Sequence, residues 1–325
     1  MNENKFDELL REDFNLDFDF DETKFNSFLA RAGLPLDSVK EQVLYELSLG
    51  KLFNNKFVVN TAGVLFFALF PQQFVSQSFV CCVRYQGNSM ASIIDRKDLA
   101  GDLVFLVDES EAFVKRHTRL AYKFDGFKRI DIEEYPYDAV KEAVINAVCH
   151  RDYFSQNNVF VNVFDDRIEV ISPGSIPNNL TLKEVYGTSN PRNYKIVELF
   201  KRIHFIEKLG SGLKRMDELM LLHGLKKPVY EINTAFFKVF FYGPKERILE
   251  LVKPSNETDL RELDLNKLQV KALSFLQKKG LSTRKDLQEF LGTTKKTTTR
   301  YIKELIEKGF IKRQGESKKV KYKLL

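Results

Sequence analysis

The segment Tyr135-Pro-Tyr-Asp-Ala-Val-Lys-Glu-Ala-Val-Ile-Asn-Ala-Val-Cys-His-Arg-Asp152 decides how the rest of the sequence is interpreted. Pro136 suits the first position of a helix, because a missing N–H there leaves no helical hydrogen bond unmade. Valine and alanine then recur at helical spacing and form one apolar stripe. Glu142, Asn146 and His150 recur every four residues, two positions away from that stripe. The segment therefore predicts a helix with a carboxylate, an amide and an imidazole in line on its polar face.

A solvent-exposed face that lacks lysine is the alternative interpretation of those three residues, and the following segments bear on it. Two β-rich runs, Val159–Phe164 and Arg167–Ile171, flank Asp165-Asp166 and predict a hairpin. The second run leads into the glycine-containing turn Ser172-Pro-Gly-Ser-Ile-Pro177. Further along, Glu207-Lys-Leu-Gly-Ser-Gly-Leu-Lys-Arg-Met216 places a Gly-x-Gly at the start of another helical pattern. The polar face is thus the first of an ordered series of motifs.

This series resembles the GHKL (Bergerat) ATP-binding fold over roughly residues 50 to 325. It is most similar to a divergent branch, found in transcriptional regulators, that is related to the C-terminal part of RecG helicases. In that branch a Schlafen-type AlbA-like domain usually precedes the ATP-binding-like domain, and a winged helix follows it. Residues 1–325 show no AlbA-like pattern, and truncation of the sequence and loss of the module are the two alternatives. The residues that carry the resemblance are Glu142, Asn146, His150-Arg-Asp152, Asp166-Arg-Ile-Glu169, Ser172-Pro-Gly174, Pro191-Arg-Asn193 and Gly210-Ser-Gly212.

The resemblance implies a site for ATP and Mg²⁺. Asn146 would supply one ligand to a Mg²⁺ ion whose other ligands come from the nucleotide phosphates and water, as this ion prefers. Glu142 would be the catalytic residue, a general base that orients the attacking water. The Gly-x-Gly turn would place backbone N–H groups at the phosphates. The residues expected to bind the cofactor are Asn146, His150, Ser172, Gly174, Arg192, Asn193, Gly210 and Gly212.

The sequence departs from this family at the adenine position. GHKL enzymes carry an Asp-x-Gly-x-Gly whose carboxylate accepts a hydrogen bond from the adenine amino group, whereas this chain has Ser172-Pro-Gly174 and one glycine fewer. A serine hydroxyl accepts that bond without the added strength of a charge. We therefore expect discrimination of adenine to be weaker by about 1–3 kcal/mol. Nucleotide binding and hydrolysis are separate questions, and both stay open at this stage.

The charge of the chain is unevenly distributed. The net charge is +6 over 325 residues, yet residues 265–325 contain 17 Lys and Arg against 5 Asp and Glu. A basic module on a mildly acidic body is typical of polyanion binding. Three cysteines without a Cys-x-x-Cys pair argue against a disulfide framework and a zinc finger. The absence of a signal-peptide pattern and of a membrane-length apolar run predicts a cytoplasmic protein with no membrane partner.

The basic module resembles a winged helix-turn-helix domain. Its pattern predicts helices over 267–279, 282–291 and 294–308, followed by a two-stranded wing. The third helix suits recognition in the major groove of double-stranded DNA, and the wing suits backbone contacts. A winged helix used for protein contacts is the alternative. The residues expected to bind DNA are Lys295, Lys296, Thr297, Thr298 and Arg300 on the helix, and Arg313, Lys318, Lys319 and Lys321 on the wing.

The N-terminal part predicts an α/β unit with an acidic, phenylalanine-rich arm that either forms an edge strand or docks through its phenylalanines. Short helices are expected over Glu22–Ala32 and from about Thr61, with Asn60 as N-cap, and a long helix over Leu99–Lys123. The predicted fold class is α/β (α+β), a GHKL-like helix/sheet sandwich with a C-terminal winged helix. The predicted domains are 1–125, the N-terminal unit; 126–245, the GHKL-like domain; 246–264, a linker; and 265–325, the winged helix.

Together these features predict a homodimeric, DNA-binding transcriptional regulator whose GHKL-like domain binds, or once bound, ATP and modulates the winged helix. The alternative is an active Mg²⁺-dependent ATPase in nucleic-acid processing or defence. Helicase action is disfavoured, because the sequence contains no Gly-x-x-x-x-Gly-Lys-[Ser/Thr] phosphate loop.

Overall fold

The computed structural model of the protein describes residues 5–125, 128–176, 180–188, 190–206, 210–251, 265–315 and 320–324. The chain divides into two compact units, Met1–Lys253 and Pro254–Leu325. The first is built on a mixed sheet with helices, and the second consists of three helices and a two-stranded wing. The predicted α/β class with a C-terminal winged helix is therefore confirmed.

The helices of the first unit are stabilised at their starts by side chains that accept backbone hydrogen bonds. Asp21 caps the first helix through the N–H groups of Thr23 and Lys24, and Asn60 caps the third through that of Gly63, as expected. The helices in the described part of this unit are α1 (Glu22–Ala32), α2 (Lys40–Glu46), α3 (Thr61–Phe67), α4 (Pro71–Phe74), α5 (Leu103–His117), α6 (Tyr137–His150), α7 (Leu182–Val185), α8 (Tyr194–Arg202) and α9 (Gly212–Leu222).

The strands of the first unit form one large sheet and two hairpins. They are β1 (Gly50–Phe53), β2 (Lys56–Val59), β3 (Val80–Tyr85), β4 (Ile93–Leu99), β5 (Leu120–Asp125), β6 (Lys128–Glu133), β7 (Val159–Val163), β8 (Arg167–Pro173), β9 (Val229–Ile232) and β10 (Phe236–Tyr242).

The large sheet has the strand order β4-β3-β7-β8-β10-β9 among the described residues. β3 and β7 are parallel, and the remaining neighbours are antiparallel. α6 packs over β7 and β8, between α5 on one side and α9 on the other. Its apolar stripe is fully enclosed there, since Val140, Val144 and Val148 are all buried. This packing directs the opposite, polar side of α6 toward α9.

The predicted boundary between residues 125 and 126 does not separate two sheets. β3 and β4 lie before that boundary, and they continue the same sheet as β7 to β10. The predicted linker 246–264 starts within a short 3-10 helix, Lys245–Glu250, and residues 252–264 lie outside the described residues.

The prediction of one long helix over Leu99–Lys123 is wrong. That stretch contains the end of β4, the helix α5 and the start of β5. Asp102 caps α5 at the N–H of Phe105, so the helix begins there. At its other end the hydroxyl of Thr118 donates to the Val114 carbonyl, and the chain turns extended to pair with β6. A polar cap and a β-forming segment thus override the helical periodicity.

The acidic N-terminal arm docks on the first unit. Phe6 stacks on Tyr153 with ring centroids 5.4 Å apart, and Phe14 and Phe20 are buried. Asp7 is also fully buried, and its carboxylate accepts a hydrogen bond from the Lys195 N–H at 2.7 Å. The second of the two expected states, docking through phenylalanines, is the one observed.

The second unit follows the predicted order of elements. Thr283 and Thr294 cap its second and third helices, which start two residues and one residue later than expected. The elements are α10 (Lys267–Lys279), α11 (Arg284–Leu291), α12 (Lys295–Glu307), β11 (Ile311–Gln314) and β12 (Lys321–Leu324). In the described parts of both units, none of the helices combines the length and apolar composition needed to cross a bilayer.

Candidate functional site

A pocket in the first unit lies between α6, α9, the strands β8 and β10, and the segment that follows Gly174. Its volume is about 140 Å³, and most of the side chains around it are apolar. Six of the residues predicted to form the nucleotide site line this pocket, together with the predicted general base. They are Asn146, His150, Ser172, Gly174, Gly210 and Gly212, with Glu142.

Glu142 and Asn146 lie one helical turn apart and face the start of α9. The Asn146 Nδ2 is 3.5 Å from the Glu142 Oε1, at the limit of a hydrogen bond. Gly212 lies directly opposite: a β-carbon there would come within 2.6 Å of the Asn146 Nδ2 and 2.7 Å of the Glu142 Oε1. Glycine therefore lets α9 begin here without displacing the ends of the Asn146 and Glu142 side chains.

His150 is half-buried in the pocket wall, one turn beyond Asn146. Burial lowers the pKa of His150 to about 4, and the positive charge of Arg192 acts in the same direction. At neutral pH the imidazole is thus uncharged and offers one donor and one acceptor. It contributes polarity without positive charge.

Ser172 is the residue expected to take the place of the adenine-binding aspartate of GHKL enzymes. Its hydroxyl donates to the Ala147 carbonyl at 3.0 Å, so the serine oxygen keeps only acceptor capacity toward the pocket. Gly174, two residues later, has a φ of +95°, and a β-carbon there would approach the Asp152 Cβ within 2.9 Å. Both the conformation and the close approach explain a glycine at this turn.

Two predicted cofactor residues do not line the pocket. Arg192 donates from its Nη2 to the Ser175 carbonyl at 2.8 Å and is not among the lining residues. Asn193 is buried, and its amide donates to the carbonyls of Cys149 and Arg151 at 2.8 and 2.9 Å. Asn193 thus closes the C-terminal end of α6, where helical carbonyls lack partners. Its role here is structural.

Arg151 and Asp152, at the end of α6, each bind backbone groups of the described residues. Arg151 is buried, and its guanidinium donates to the carbonyls of Gln77, Ser155 and Asn157. The Asp152 carboxylate instead accepts from the Phe154 N–H at 2.9 Å. The buried arginine therefore braces the loop that follows α6, because carbonyl oxygens replace the water that it loses.

A hydrogen-bonded group that the sequence did not reveal secures the segment over the pocket. Tyr186, just after α7, donates its hydroxyl to Asp217 of α9 at 2.9 Å. Tyr230 of β9 donates to the other oxygen of the same carboxylate at 2.8 Å. The three residues are far apart in sequence, so no local pattern could have predicted the contact. The segment carrying Val185 and Thr188 is thereby tied to α9.

The pocket lining combines apolar side chains with a smaller number of polar ones. Among the lining residues that the structure describes, none is Lys or Arg, and the polar side chains include both donors and acceptors. The described side chains also bring together no group of three or more His, Cys, Asp or Glu residues suited to a metal ion. Magnesium would find one amide oxygen, from Asn146, and one carboxylate, from Glu142. These are the two groups that could contribute to a Mg²⁺ ion whose remaining ligands come from phosphates and water.

In the second unit, the start of α12 exposes most of the predicted DNA-binding residues. Lys295, Lys296 and Arg300 are exposed and Thr297 is half-buried. Arg313 and Lys321 are exposed on the wing strands, while Lys318 and Lys319 lie outside the described residues.

Thr298 differs from the other residues of α12 that were expected to contact DNA. It is fully buried, and its hydroxyl hydrogen-bonds with the Thr294 carbonyl at 3.0 Å and the Thr293 hydroxyl at 2.8 Å. A side chain enclosed in this way does not reach a base edge. Its position in the sequence, between exposed residues, could not reveal that it points inward.

Comparisons with known proteins agree with this architecture. Residues 156–241 match the family described as "Putative ATP-dependent DNA helicase recG C-terminal", and residues 265–312 match "Winged helix-turn-helix DNA-binding". The first match starts after α6, so Glu142 and Asn146 lie outside it. No curated protein matches the chain.

The fold is also similar to that of a solved structure, the DIP2311 protein from Corynebacterium diphtheriae. The TM-score is 0.63 and the sequence identity 19%. The match covers 99% of this chain and 64% of that protein, so this chain spans just under two thirds of its length. The chain therefore consists of a unit containing a RecG-C-terminal-like, ATPase-like domain, followed by a winged helix-turn-helix domain.

Proposed function

We propose that this protein is a transcriptional regulator that binds double-stranded DNA through its winged helix and a small ligand through its ATPase-like domain. The observation that carries the proposal is the orientation of α12. Tyr301, Ile302 and Leu305 are buried and hold one side of this helix against the core of the unit. Its N-terminal turns consequently present Lys295, Lys296 and Arg300 to solvent, where cationic side chains can contact phosphates and base edges.

Fluorescence anisotropy with a labelled duplex, measured over a series of salt concentrations, tests this proposal. We expect the full chain to bind with an affinity that falls steeply with salt. The combined variant Lys295→Ala, Lys296→Ala, Arg300→Ala should bind weakly, with a log–log salt slope smaller by about 0.9 for each phosphate that it no longer neutralises. Lys271→Ala, which removes an exposed charge from α10, is the matched control and should bind like the wild type. Equal binding by the combined variant would contradict the proposal.

The proposal includes a homodimer, because regulators that read two half-sites are commonly two-fold symmetric. Light scattering on the chain alone and bound to DNA measures this directly. The domain order also supports an affiliation with the Schlafen-AlbA-associated regulators, which the resemblance in sequence suggested.

An active Mg²⁺-dependent ATPase in nucleic-acid processing or defence is the second candidate. It is favoured by the proximity of Glu142 and Asn146 beside the glycine turn at Gly212. Release of phosphate from ATP that requires Mg²⁺ and disappears in Glu142→Ala would establish this activity. The apolar lining and the lack of Lys or Arg among the described lining residues make the regulator the better-supported candidate.

A further inference from the structure

We propose that a polar cleft in the first unit binds a small dipolar molecule that carries both an ammonium and a carboxylate group, as amino acids do. The cleft lies beyond the carboxyl ends of the parallel strands β3 and β7, a common location of ligand sites in α/β sheets. Asp166, which precedes β8, lines this cleft, whereas Ser172, near the end of β8, lines the pocket beside α6. The length of β8 thus separates the two sites, and the cleft adds a binding site to the function proposed above.

The lining of the cleft is almost entirely polar. Its volume is about 440 Å³, within the range of about 300–1,000 Å³ that is typical of small-molecule sites. Three basic and four acidic side chains line it, with a histidine, an asparagine and Phe164, the one apolar side chain of the described lining. None of the lining residues adjoins an undescribed part of the chain. This near balance of charge does not suit a simple anion or cation, because either would meet several groups of its own sign.

The basic groups of the cleft retain donors that a carboxylate can use. Arg119 donates to Glu134 from its Nε at 2.9 Å and from its Nη2 at 2.6 Å, and its Nη2 also donates to the Lys245 carbonyl at 2.6 Å. The Arg119 Nη1 makes no hydrogen bond with any described residue, and the Lys245 ammonium has no ion-pair partner among them. Lys245 also has a φ of +54°, which is uncommon for a residue other than glycine and is held here by the bond from Arg119.

The acidic groups retain acceptors that an ammonium group can use. Arg84 donates from its Nη2 to the Asp165 Oδ1, and the Gly87 N–H donates to the other oxygen of that carboxylate at 2.8 Å. The Asp166 Oδ1 accepts from Arg167 at 2.9 Å, while its Oδ2 makes no hydrogen bond with a described residue. The adjacent carboxylates of Asp165 and Asp166 therefore form the acceptor side of the cleft, and Asp166 can bind an ammonium group without losing an existing bond.

The remaining charged groups of the lining do not change this balance. Glu134 is occupied by Arg119, and the His117 Nε2 lies 2.8 Å from the Asp95 carboxylate. Glu246 is exposed and follows Lys245 directly in the chain. Groups of both signs thus keep unused hydrogen-bonding capacity in one cleft. A ligand with an ammonium and a carboxylate satisfies both kinds, whereas an anion alone leaves the acidic side without a partner.

Thermal unfolding of the full chain with each of the standard L-amino acids at millimolar concentration identifies the ligand. We expect at least one of them to raise the thermal midpoint by at least about 2 °C, because a ligand that binds only the folded state stabilises it. Its N-acetyl derivative lacks the ammonium group, and its amide lacks the carboxylate. In isothermal titration each derivative should bind at least about tenfold more weakly. The proposal is overturned if none of the amino acids stabilises the folded chain, or if the derivatives bind as well as the parent compound.

Asp166→Asn and Lys245→Gln test whether the ligand lies in this cleft, since each removes one charge and nearly preserves the size of the side chain. Each should weaken binding of the amino acid at least about tenfold. Asp37→Asn and Lys226→Gln, which alter exposed residues elsewhere in the unit, are the matched controls and should bind like the wild type. Thermal unfolding without ligand shows that a variant is folded, and Lys245 is exposed, so its substitution leaves the core intact. Undiminished binding in either folded cleft variant would overturn the proposal.

Discussion

Gly212, the first residue of α9, faces Asn146 of α6 so closely that a β-carbon there would lie 2.6 Å from the Asn146 Nδ2. The Glu142 Oε1 would be almost as near, at 2.7 Å. Both close contacts are with the ends of side chains, so an added methyl group displaces those ends and leaves the helices in place. Position 212 therefore controls where the amide and the carboxylate of the pocket point.

We predict that Gly212→Ala weakens ligand binding and leaves the stability of the protein nearly unchanged. Alanine favours a helix by up to about 1 kcal/mol over glycine, which offsets the local crowding, so the thermal midpoint should stay within a few degrees. Binding of the pocket ligand should fall at least about tenfold, because Glu142 and Asn146 are displaced. Calorimetry measures both quantities. Lys214→Ala, exposed on the same helix, is the control; unchanged ligand binding in Gly212→Ala would contradict the prediction.

The N-terminal arm stabilises the first unit through Asp7. Its carboxylate accepts from the N–H groups of Lys195 and Ile196, and so performs the capping of α8 that Asn193 does not. We predict that Asp7→Ala lowers the free energy of unfolding by about 0.5–2 kcal/mol, measured with urea. Glu8→Ala, an exposed neighbour, should cost much less. Equal losses in the two variants would show that the capping contact is unimportant.

His150 makes the first unit sensitive to mild acid. Burial and Arg192 lower its pKa to about 4 in the folded protein, from an ordinary value of 6.5. Between these values the unfolded chain binds a proton that the folded chain excludes, so stability is full above pH 6.5 and falls as the pH drops toward 4.

We predict that His150→Gln, which does not titrate, loses less stability between about pH 7.5 and about pH 5 than the wild type. Urea unfolding at the two pH values measures the difference. The carboxylates of the chain titrate in both proteins, and comparison with the wild type removes their contribution. A variant with the same pH dependence as the wild type would refute this role of His150.

Substitutions at Thr298 and Arg300, on the same helix, should have different effects: the first should lower stability and the second should weaken DNA binding. Thr298→Val keeps the shape of the side chain but loses two hydrogen bonds, to Thr294 and Thr293, at a cost of about 1–3 kcal/mol of stability. The folded fraction of this variant should bind DNA normally. Arg300→Ala should leave stability within about 0.5 kcal/mol and weaken DNA binding, with a shallower salt slope. Loss of DNA affinity in fully folded Thr298→Val would contradict the structure.

Much of the fold could be predicted from local pattern. α1 spans Glu22–Ala32 as expected, and β7 and β8 flank Asp165-Asp166 as the hairpin pattern predicts. The winged helix could also be predicted, because its three helices are bounded by threonine or asparagine caps and by glycines. Such signals act within a few residues, so they survive in the sequence. The failure over Leu99–Lys123 occurred where pairing with β6 decided the structure.

The sequence by itself determined which residues could take part in the pocket: the spacing of Glu142, Asn146 and His150 placed them on one side of α6, and glycine at 212 allowed the approach of α9. Only the tertiary structure decided what these residues face. The Ser172 hydroxyl donates its hydrogen bond to the Ala147 carbonyl and so faces the pocket as an acceptor, Asn193 binds the end of α6, and Thr298 is buried. The physical reason is that the role of a polar side chain depends on the partner that replaces its water, and that partner is supplied by distant parts of the chain.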